Sequence, residues 1–317
     1  MNSEKKIVFM GTPKFAVESL KNVHESGYNI VGVICPPDRP AGRGHKLKAC
    51  DVKKYALSQN FNILQPDKLK NIDFLKELKS LDADLFIIVA FRMLPKEVWS
   101  MPKYGTFNIH GSLLPHYRGA APINWAIMNG ETKTGVTSFF IDEKIDTGAT
   151  LLYKDCKIGE NDNVGDIHDK LMVLGAQLAT ETCDAIFSNN VKPEIQVESS
   201  ELKEAPKLFK DNCRIDWTKD TFSIHNHIRG LSPYPVAWTK FIQEGCEDLI
   251  MKIHKSNHTI CEHEKEISDI EFCKTDLKIY TIDGYISVIE IQSPGKKKMD
   301  IKSFLNGYSL EKDIKAC

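Results

Sequence analysis

Several features that would classify a chain of 317 residues quickly are missing from this one. No C-x-x-C pair occurs among its nine cysteines, which stand singly at Cys35, Cys50, Cys156, Cys183, Cys213, Cys246, Cys261, Cys273 and Cys317. A scattered, odd set argues against a zinc ribbon and a disulfide framework and points to a reducing cytoplasm. No apolar run reaches the length needed to span a bilayer. The first residues, MNSEKKIVFMGTPKF, hold too short an apolar stretch for a secretory leader. Charge of one sign is missing too, with 42 Lys and Arg against 43 Asp and Glu, a formal net of −1. This excludes a global electrostatic footprint for nucleic acid, so any such binding has to use a local basic patch. There is no internal repeat, no low-complexity tract and no G-x-G-x-x-G.

What is present is ordinary globular composition, 42% hydrophobic and 27% charged, in a length that suits two domains. Short apolar runs at 6–10 (KIVFM), 28–35 (YNIVGVIC) and 85–90 (LFIIVA) alternate with helical patterns, such as DKLKNIDFLKELKSL before the third. That alternation predicts a sheet covered on both faces, an α/β domain. Further strands are expected at 106–110 and 136–141, and helices at 119–129 and 166–187. Residues 188–206 turn polar with two prolines, and the stretch 190–206 reads as a linker. Beyond it, expected strands at 237–242, 249–255, 277–281 and 286–291 are separated by turn signals such as Asp283-Gly284, a small β-barrel pattern. The expected division is 1–189, linker, and 207–317.

Individual motifs each carry a plain structural reading beside a chemical one. MGTPKF is a tight strand-to-helix turn first and an anion cradle second. Asn108 and His110 sit two apart in a strand, so they share a face, and they offer an amide donor and a titratable ring; a satisfied core pair is an equal alternative. Asp142 and Asp146 lie in a Gly-containing acidic loop of a kind common as a plain turn, and no third residue suggests a metal site. His225 and His227 fall in an expected helix, where residues two apart do not share a face, so joint metal binding is not expected. CPPDRPAGRGHKLK carries Arg39, Arg43, Lys46 and Lys48 with His45 against one acid, Asp38. It reads as a projecting loop, either solvated or gripping phosphates. Lys296, Lys297 and Lys298 form a second basic cluster.

Together, FNIHGSLLPHYRGAAPINWAI, the DTG from Asp146, FMGTPKFAV and PDRPAGRG resemble the methionyl-tRNA formyltransferase family. The similarity covers almost the whole chain and continues at RIDW, IRGLSPYPVAWT and SPGKKKM. The resemblance implies a Rossmann-like formyltransferase domain followed by a C-terminal OB-like β-barrel. It implies transfer of the formyl group of 10-formyltetrahydrofolate to the amino group of methionyl initiator tRNA. The family triad falls on Asn108, His110 and Asp146, and the folate-contacting SLLP on Ser112, Leu113, Leu114 and Pro115. The stretch VAFRMLP departs from the family's Val-Ala-Tyr-Gly loop; it resembles the folate loop of glycinamide ribonucleotide formyltransferases and brings Phe91, Arg92 and Leu94 to the expected folate site. The basic residues of 39–48 and Lys296–Lys298 are the expected tRNA contacts.

On this reading Asn108 and His110 donate hydrogen bonds to the oxyanion of acyl transfer, and Asp146 orients His110. No metal, membrane or obligate protein partner is expected. The alternative is a folate-dependent formyltransferase acting on a small amine, a ribonucleotide or amino-sugar nucleotide; the basic loop and the extra C-terminal domain favour a large anionic acceptor.

Overall fold

The computed structural model describes residues 2–41, 46–243, 247–308, 310 and 313–317. The chain divides into two compact units. The first comprises Met1–Gly119, Thr134–Cys156 and His168–Glu204; the second comprises Ala120–Lys133, Lys157–Ile167 and Ala205–Cys317.

In chain order the first part carries β1 (Lys6–Gly11), α1 (Lys14–Glu25), β2 (Asn29–Ile34), β3 (Arg39–Ala41), β4 (Lys46–Lys48), α2 (Asp51–Ser58), β5 (Ile63–Leu64) and α3 (Ile72–Ser80). There follow β6 (Leu85–Val89), α4 (Lys96–Trp99), β7 (Thr106–His110), β8 (Arg118–Gly119), α5 (Pro122–Met128), β9 (Lys133–Phe140), β10 (Thr150–Lys157) and α6 (Val164–Phe187). Seven strands form one sheet in the order β10-β9-β7-β6-β1-β2-β5. From β5 to β7 neighbours run parallel, and β9 runs antiparallel to β7. Every residue of β6 is buried, as expected of a parallel strand covered on both faces. At the β1–α1 turn, a Cβ on Gly11 would lie 2.7 Å from the Ala16 Cβ and 3.1 Å from the Val89 carbonyl. The glycine is therefore explained by close packing alone, the plainer of its two readings.

The expected strands and helices of this region stand within a few residues of their places. β10 was not anticipated. It ends the sheet, and its burial alternates from Leu152 onward, the pattern of an edge strand with one face in water.

Strand order reverses at β1: the chain goes out through β2 to β5, then returns to β6 and β7 on the other side. In open α/β sheets the crevice beyond the carboxyl ends at such a switch point is where ligands bind. The loops leaving β1, β2, β6 and β7 all emerge at that edge. They include the basic stretch after β2, VAFRMLP after β6, and GSLLP after β7.

The second unit continues through β11 (Glu204–Ala205), α7 (Thr221–Gly230), β12 (Ala237–Ile242), β13 (Leu249–Ile260), β14 (Ile270–Phe272), β15 (Leu277–Tyr280), β16 (Gly284–Gln292), β17 (Met299–Asp300), α8 (Ile301–Gly307) and β18 (Lys315–Ala316). Its sheet runs β14-β15-β16-β13-β12-β18. An antiparallel bridge between Asp269 and Lys315, with Ile270 N donating to Ile314 O at 3.2 Å and Ala316 N to Ser268 O at 2.9 Å, joins the two ends. The result is the expected β-barrel, nearly closed, around Phe241, Met251, Ile253, Ile286, Val288 and Phe304. No helix among the described residues is long and apolar enough to cross a membrane.

The segment 190–206, polar enough to read as a linker, is held within the first unit as far as Glu204. Thr150 and Glu194 exchange backbone hydrogen bonds at 2.8 and 2.9 Å. Ile195 and Val197 point outward, 88% and 74% exposed, while Gln196 between them is buried at 8%. Apolar side chains outside and a polar one inside invert the usual pattern, so composition could not reveal this packing.

Candidate active site

β7 ends at the switch-point edge, and its alternation sets Asn108 and His110 on one face. His110 is buried at 6% exposure. Its Nε2 lies 2.8 Å from the Tyr117 carbonyl, which accepts only, so Nε2 carries a proton. Its Nδ1 lies 3.6 Å from Asp146 Oδ2, an ion-pair distance rather than a direct hydrogen bond. The Phe139 ring stands edge-on to the imidazole at 6.5 Å.

Asp146 arrives from the loop between β9 and β10. Its φ is +55°, the left-handed region that non-glycine residues occupy at a cost. Oδ2 accepts from Gly119 N at 3.0 Å. Two residues on, a Cβ at Gly148 would fall 1.7 Å from the Phe140 carbonyl, so the return of the chain beside β9 requires glycine there. The other acid of the loop, Asp142, builds the turn instead. It accepts from Lys144 N at 3.0 Å and from Thr147 Oγ1 at 2.8 Å.

Asn108 differs from both. Its Oδ1 is buried without a hydrogen-bond partner among the described residues. Such a group is costly to leave unpaired. Rotating the carboxamide by 180° exchanges oxygen for NH2 at little steric cost, so the side chain can offer either an acceptor or a donor.

The other residues singled out in the sequence are placed as follows. Ser112 is fully buried; its Oγ donates to His116 O at 2.7 Å, and Thr137 Oγ1 donates to its carbonyl at 2.7 Å. Thr137 also accepts from Leu114 N at 3.2 Å, so this threonine shapes the SLLP loop. Leu113, Leu114 and Pro115 are half-buried. Leu94 belongs to the core with Val8, Met10 and Ile88, and Phe91 packs against that core. Arg92 donates through Nη1 to Asp67 O at 2.9 Å and through Nη2 to Pro66 O. Burial, then the neighbouring Arg39 charge, push the Arg92 guanidinium below its usual range. A cleft of about 440 Å³ opens beside these carbonyls, lined by Leu64, Gln65, Pro66, Asp67 and Phe74 among others, and includes none of Asn108, His110 or Asp146.

β3 and β4 make a two-stranded ribbon in which Arg39 stands directly opposite Lys48, both exposed. Like charges facing across a ladder are unfavourable without an anion between them. The one acid of the stretch, Asp38, is taken up by Lys53 at 2.7 Å and by Gln65 at 3.1 Å. Arg43 lies outside the described residues, and Lys46 is described in its backbone only. Cys35 and Cys50 bracket the ribbon; a hydrogen bond between the two thiols holds the Cys50 thiol down at about 6 and raises that of Cys35. In the second unit Lys296 and Lys297 are exposed, and Lys298 pairs with Glu290 at 2.7 Å. Among the described residues no group of three or more His, Cys, Asp or Glu is arranged to hold a metal ion.

The structure thus brings Asn108, His110 and Asp146 to one place and adds Tyr117 and Gly119, which reading residue types could not find because both act through the backbone. Gln196 was also missed; nothing in its polar surroundings marks it.

A family model described as formyl transferase matches residues 5–182, and one described as formyl transferase, C-terminal domain, matches residues 207–309. A methionyl-tRNA formyltransferase of Flavobacterium psychrophilum is 53% identical over 305 residues, covering 96% of either chain. That of Bacteroides thetaiotaomicron is 49% identical over 314 residues, 98% of either chain. Among solved structures, an N-formyltransferase from Helicobacter canadensis in complex with folinic acid and dTDP-3-aminofucose has the same fold, with a TM-score of 0.68 at 23% identity over 91% of this chain and 99% of that one.

Proposed function

The chain belongs to the methionyl-tRNA formyltransferase family, and from that premise we propose that it transfers the formyl group of 10-formyltetrahydrofolate to the amino group of methionyl initiator tRNA. The observation that carries the reading is the convergence of His110 and Asp146 beside Asn108, whose Oδ1 is buried and unpartnered among the described residues, at the switch-point edge.

The folate supplies an activated formyl group. A C–N bond forms between that carbon and the amine, the bond to the folate nitrogen breaks, and the amine's proton passes to the leaving nitrogen. An α-amino group has a pKa near 7.7–8.0, so roughly a tenth or more of it is neutral near pH 7 and no strong base is needed to generate the attacking form. With its carboxamide rotated, Asn108 turns its NH2 to the formyl oxygen as negative charge grows there, a donor worth roughly 3–4 kcal/mol in comparable sites. His110 has one nitrogen committed to Tyr117 O, which fixes its ring, and turns the other toward Asp146. That side of the ring is the proton-transfer side, with the carboxylate balancing charge as it appears. Phe91, Arg92, Leu94 and Ser112 to Pro115 shape the folate-holding wall; the half-buried Arg92 and the buried Leu94 and Ser112 do so by fixing the two loops. The unpartnered Asn108 Oδ1 fits a ligand donor at this wall, or a ligand carbonyl once the carboxamide is rotated.

Residues 1–189 hold the chemistry, 207–317 grip tRNA, and 190–206 connect them while contributing Gln196. Arg39, Arg43, Lys46 and Lys48, with Lys296, Lys297 and Lys298, contact phosphates. Replacing Arg39, Arg43, Lys46 and Lys48 together by Ala tests the acceptor. We expect weaker tRNA binding, a log–log salt slope shallower by about 0.7 for each phosphate no longer gripped, and lower kcat/KM for charged tRNA. Slow hydrolysis of the formyl-folate should persist. Equal affinities and slopes across a salt series would favour the small-amine acceptor instead.

A further inference from the structure

Asp146 holds the left-handed backbone conformation, at φ +55°, which costs a non-glycine residue something, though Asp less than most. The loop's carbonyls are met by one side chain: Gln196 Nε2 donates to Asp146 O at 2.9 Å and to Gly148 O at 2.8 Å. The same carboxamide's Oε1 accepts from Arg118 Nε at 3.0 Å and Nη2 at 2.8 Å. Two donors and two acceptor directions are all that a glutamine has, and all are used. Only one orientation of the amide satisfies both the carbonyls and the guanidinium, so the contact is directional. Gln196 is itself buried, and its backbone is set by the pairing of Glu194 with Thr150.

The ring closes through three consecutive residues. Tyr117 O accepts from His110 Nε2, the Arg118 side chain donates to Gln196 Oε1, and Gly119 N donates to the Asp146 carboxylate. We propose that Gln196 is a positioning residue for formyl transfer: it clasps the Asp146–Gly148 backbone to Arg118 and thereby sets the carboxylate against His110. This rests on the assignment of Asp146 and His110 to the reaction. Gln196 touches neither substrate on this reading; it acts through Asp146.

The test is a double-mutant cycle on the full chain, with Gln196→Ala, Asp146→Asn and both together, assayed for formyl transfer to charged tRNA. A misplaced catalytic group costs on the order of 100-fold. We expect Gln196→Ala to lower kcat by about 10- to 100-fold with KM for either substrate changed less than about threefold, and the double variant to be no slower than Asp146→Asn alone. Gln196→Met keeps the volume without the hydrogen bonds. It serves where Gln196→Ala fails to fold, and it should lose kcat as alanine does. Equal losses from Gln196→Ala in the wild-type and Asp146→Asn backgrounds would overturn the proposal, as would recovery by Gln196→Met or turnover near wild type in both variants. Unimpaired turnover in Asp146→Asn itself would instead overturn the assignment of Asp146 on which the proposal stands.

Discussion

Two short motifs in this chain look alike and behave oppositely. Asn-Ile-His at 108–110 and His-Asn-His at 225–227 each place polar, titratable residues two apart. In β7 that spacing puts both side chains on one face, and the face ends at a crevice. In α7 it turns them about 200° apart, and they find separate partners. His225 Nδ1 meets Ser256 Oγ at 3.2 Å and its ring lies 4.7 Å from that of His258, while His227 bonds to the backbone of Cys213. Nearby Arg229 closes the helix onto the preceding loop, donating to Gly159 O at 3.1 Å, to Asp162 O at 2.8 Å and to Asn226 Oδ1 at 2.8 Å. Both motifs keep an unpartnered polar atom among the described residues, Asn108 Oδ1 in the strand and the Nε2 of His225 and of His227 in the helix; the first stands at the switch-point edge, whereas α7 packs within the second unit. The same residue types therefore carry chemistry in one unit and structure in the other, and the period of the backbone decides which.

If that contrast holds, removing the strand motif should cost catalysis and little stability. We expect Asn108→Ala to lower kcat by about 100- to 1,000-fold, the range for a lost oxyanion donor, and His110→Ala by about 100-fold or more, the range for a lost proton-transfer group, with folate binding and the unfolding midpoint nearly unchanged. Steady-state kinetics beside a thermal melt read both. Turnover within a few fold of wild type in either variant would remove that residue from the chemistry.

The converse applies to α7. Arg229→Met keeps bulk but leaves the Gly159 and Asp162 carbonyls and the buried Asn226 without their donor. A loss of about 3 kcal/mol is expected from the unpaired acceptors, read as a lower denaturant midpoint of the second unit. An unshifted midpoint would mean that water replaces the guanidinium there.

Taken per residue, the smallest effect is in pH. Burial, then the charges of His258 and Arg229, hold His225 down at about 4. Burial holds His227 at about 4 as well. Each folded-state value lies below the unfolded one near 6.5. Between those values the unfolded chain binds more protons, so stability falls as pH drops from about 6.5 toward 4 and levels off below. At pH 5 the penalty is roughly 2 kcal/mol per histidine. Denaturant midpoints of the second unit at pH 7, 6 and 5 should decline in wild type and flatten in a His225→Gln, His227→Gln variant. Parallel declines would assign the protons to other groups.

Much of this was legible in the residues because it depends on local periodicity. Continuous apolar runs such as Leu85–Val89 mark doubly covered strands, and the spacing of Asn108 and His110 marks a shared face. A turn-rich alternation after residue 207 marks a barrel of short strands. Which polar residue meets which was legible only where local backbone geometry decides it. Asp142 and Asp146 are equivalent acids in one loop, and nothing in their neighbours says that one builds the turn while the other faces His110.

Long-range pairing decided the rest. Gln196, 50 positions beyond Asp146, lies in a stretch whose composition reads as solvated chain. Ser112 and Arg92 look like ligand contacts by type, yet their polar atoms meet the backbone of neighbouring loops. Hydrogen bonds between segments distant in sequence depend on where the sheet sets its loops, and that placement follows from strand order. Periodicity along the chain thus specified the elements and the face that carries Asn108 and His110. Only the assembled sheet could say that Tyr117 O, Gly119 N and Gln196 complete the surroundings of Asp146, because a backbone carbonyl or amide has no residue type to read and a buried glutamine has the same letter as an exposed one.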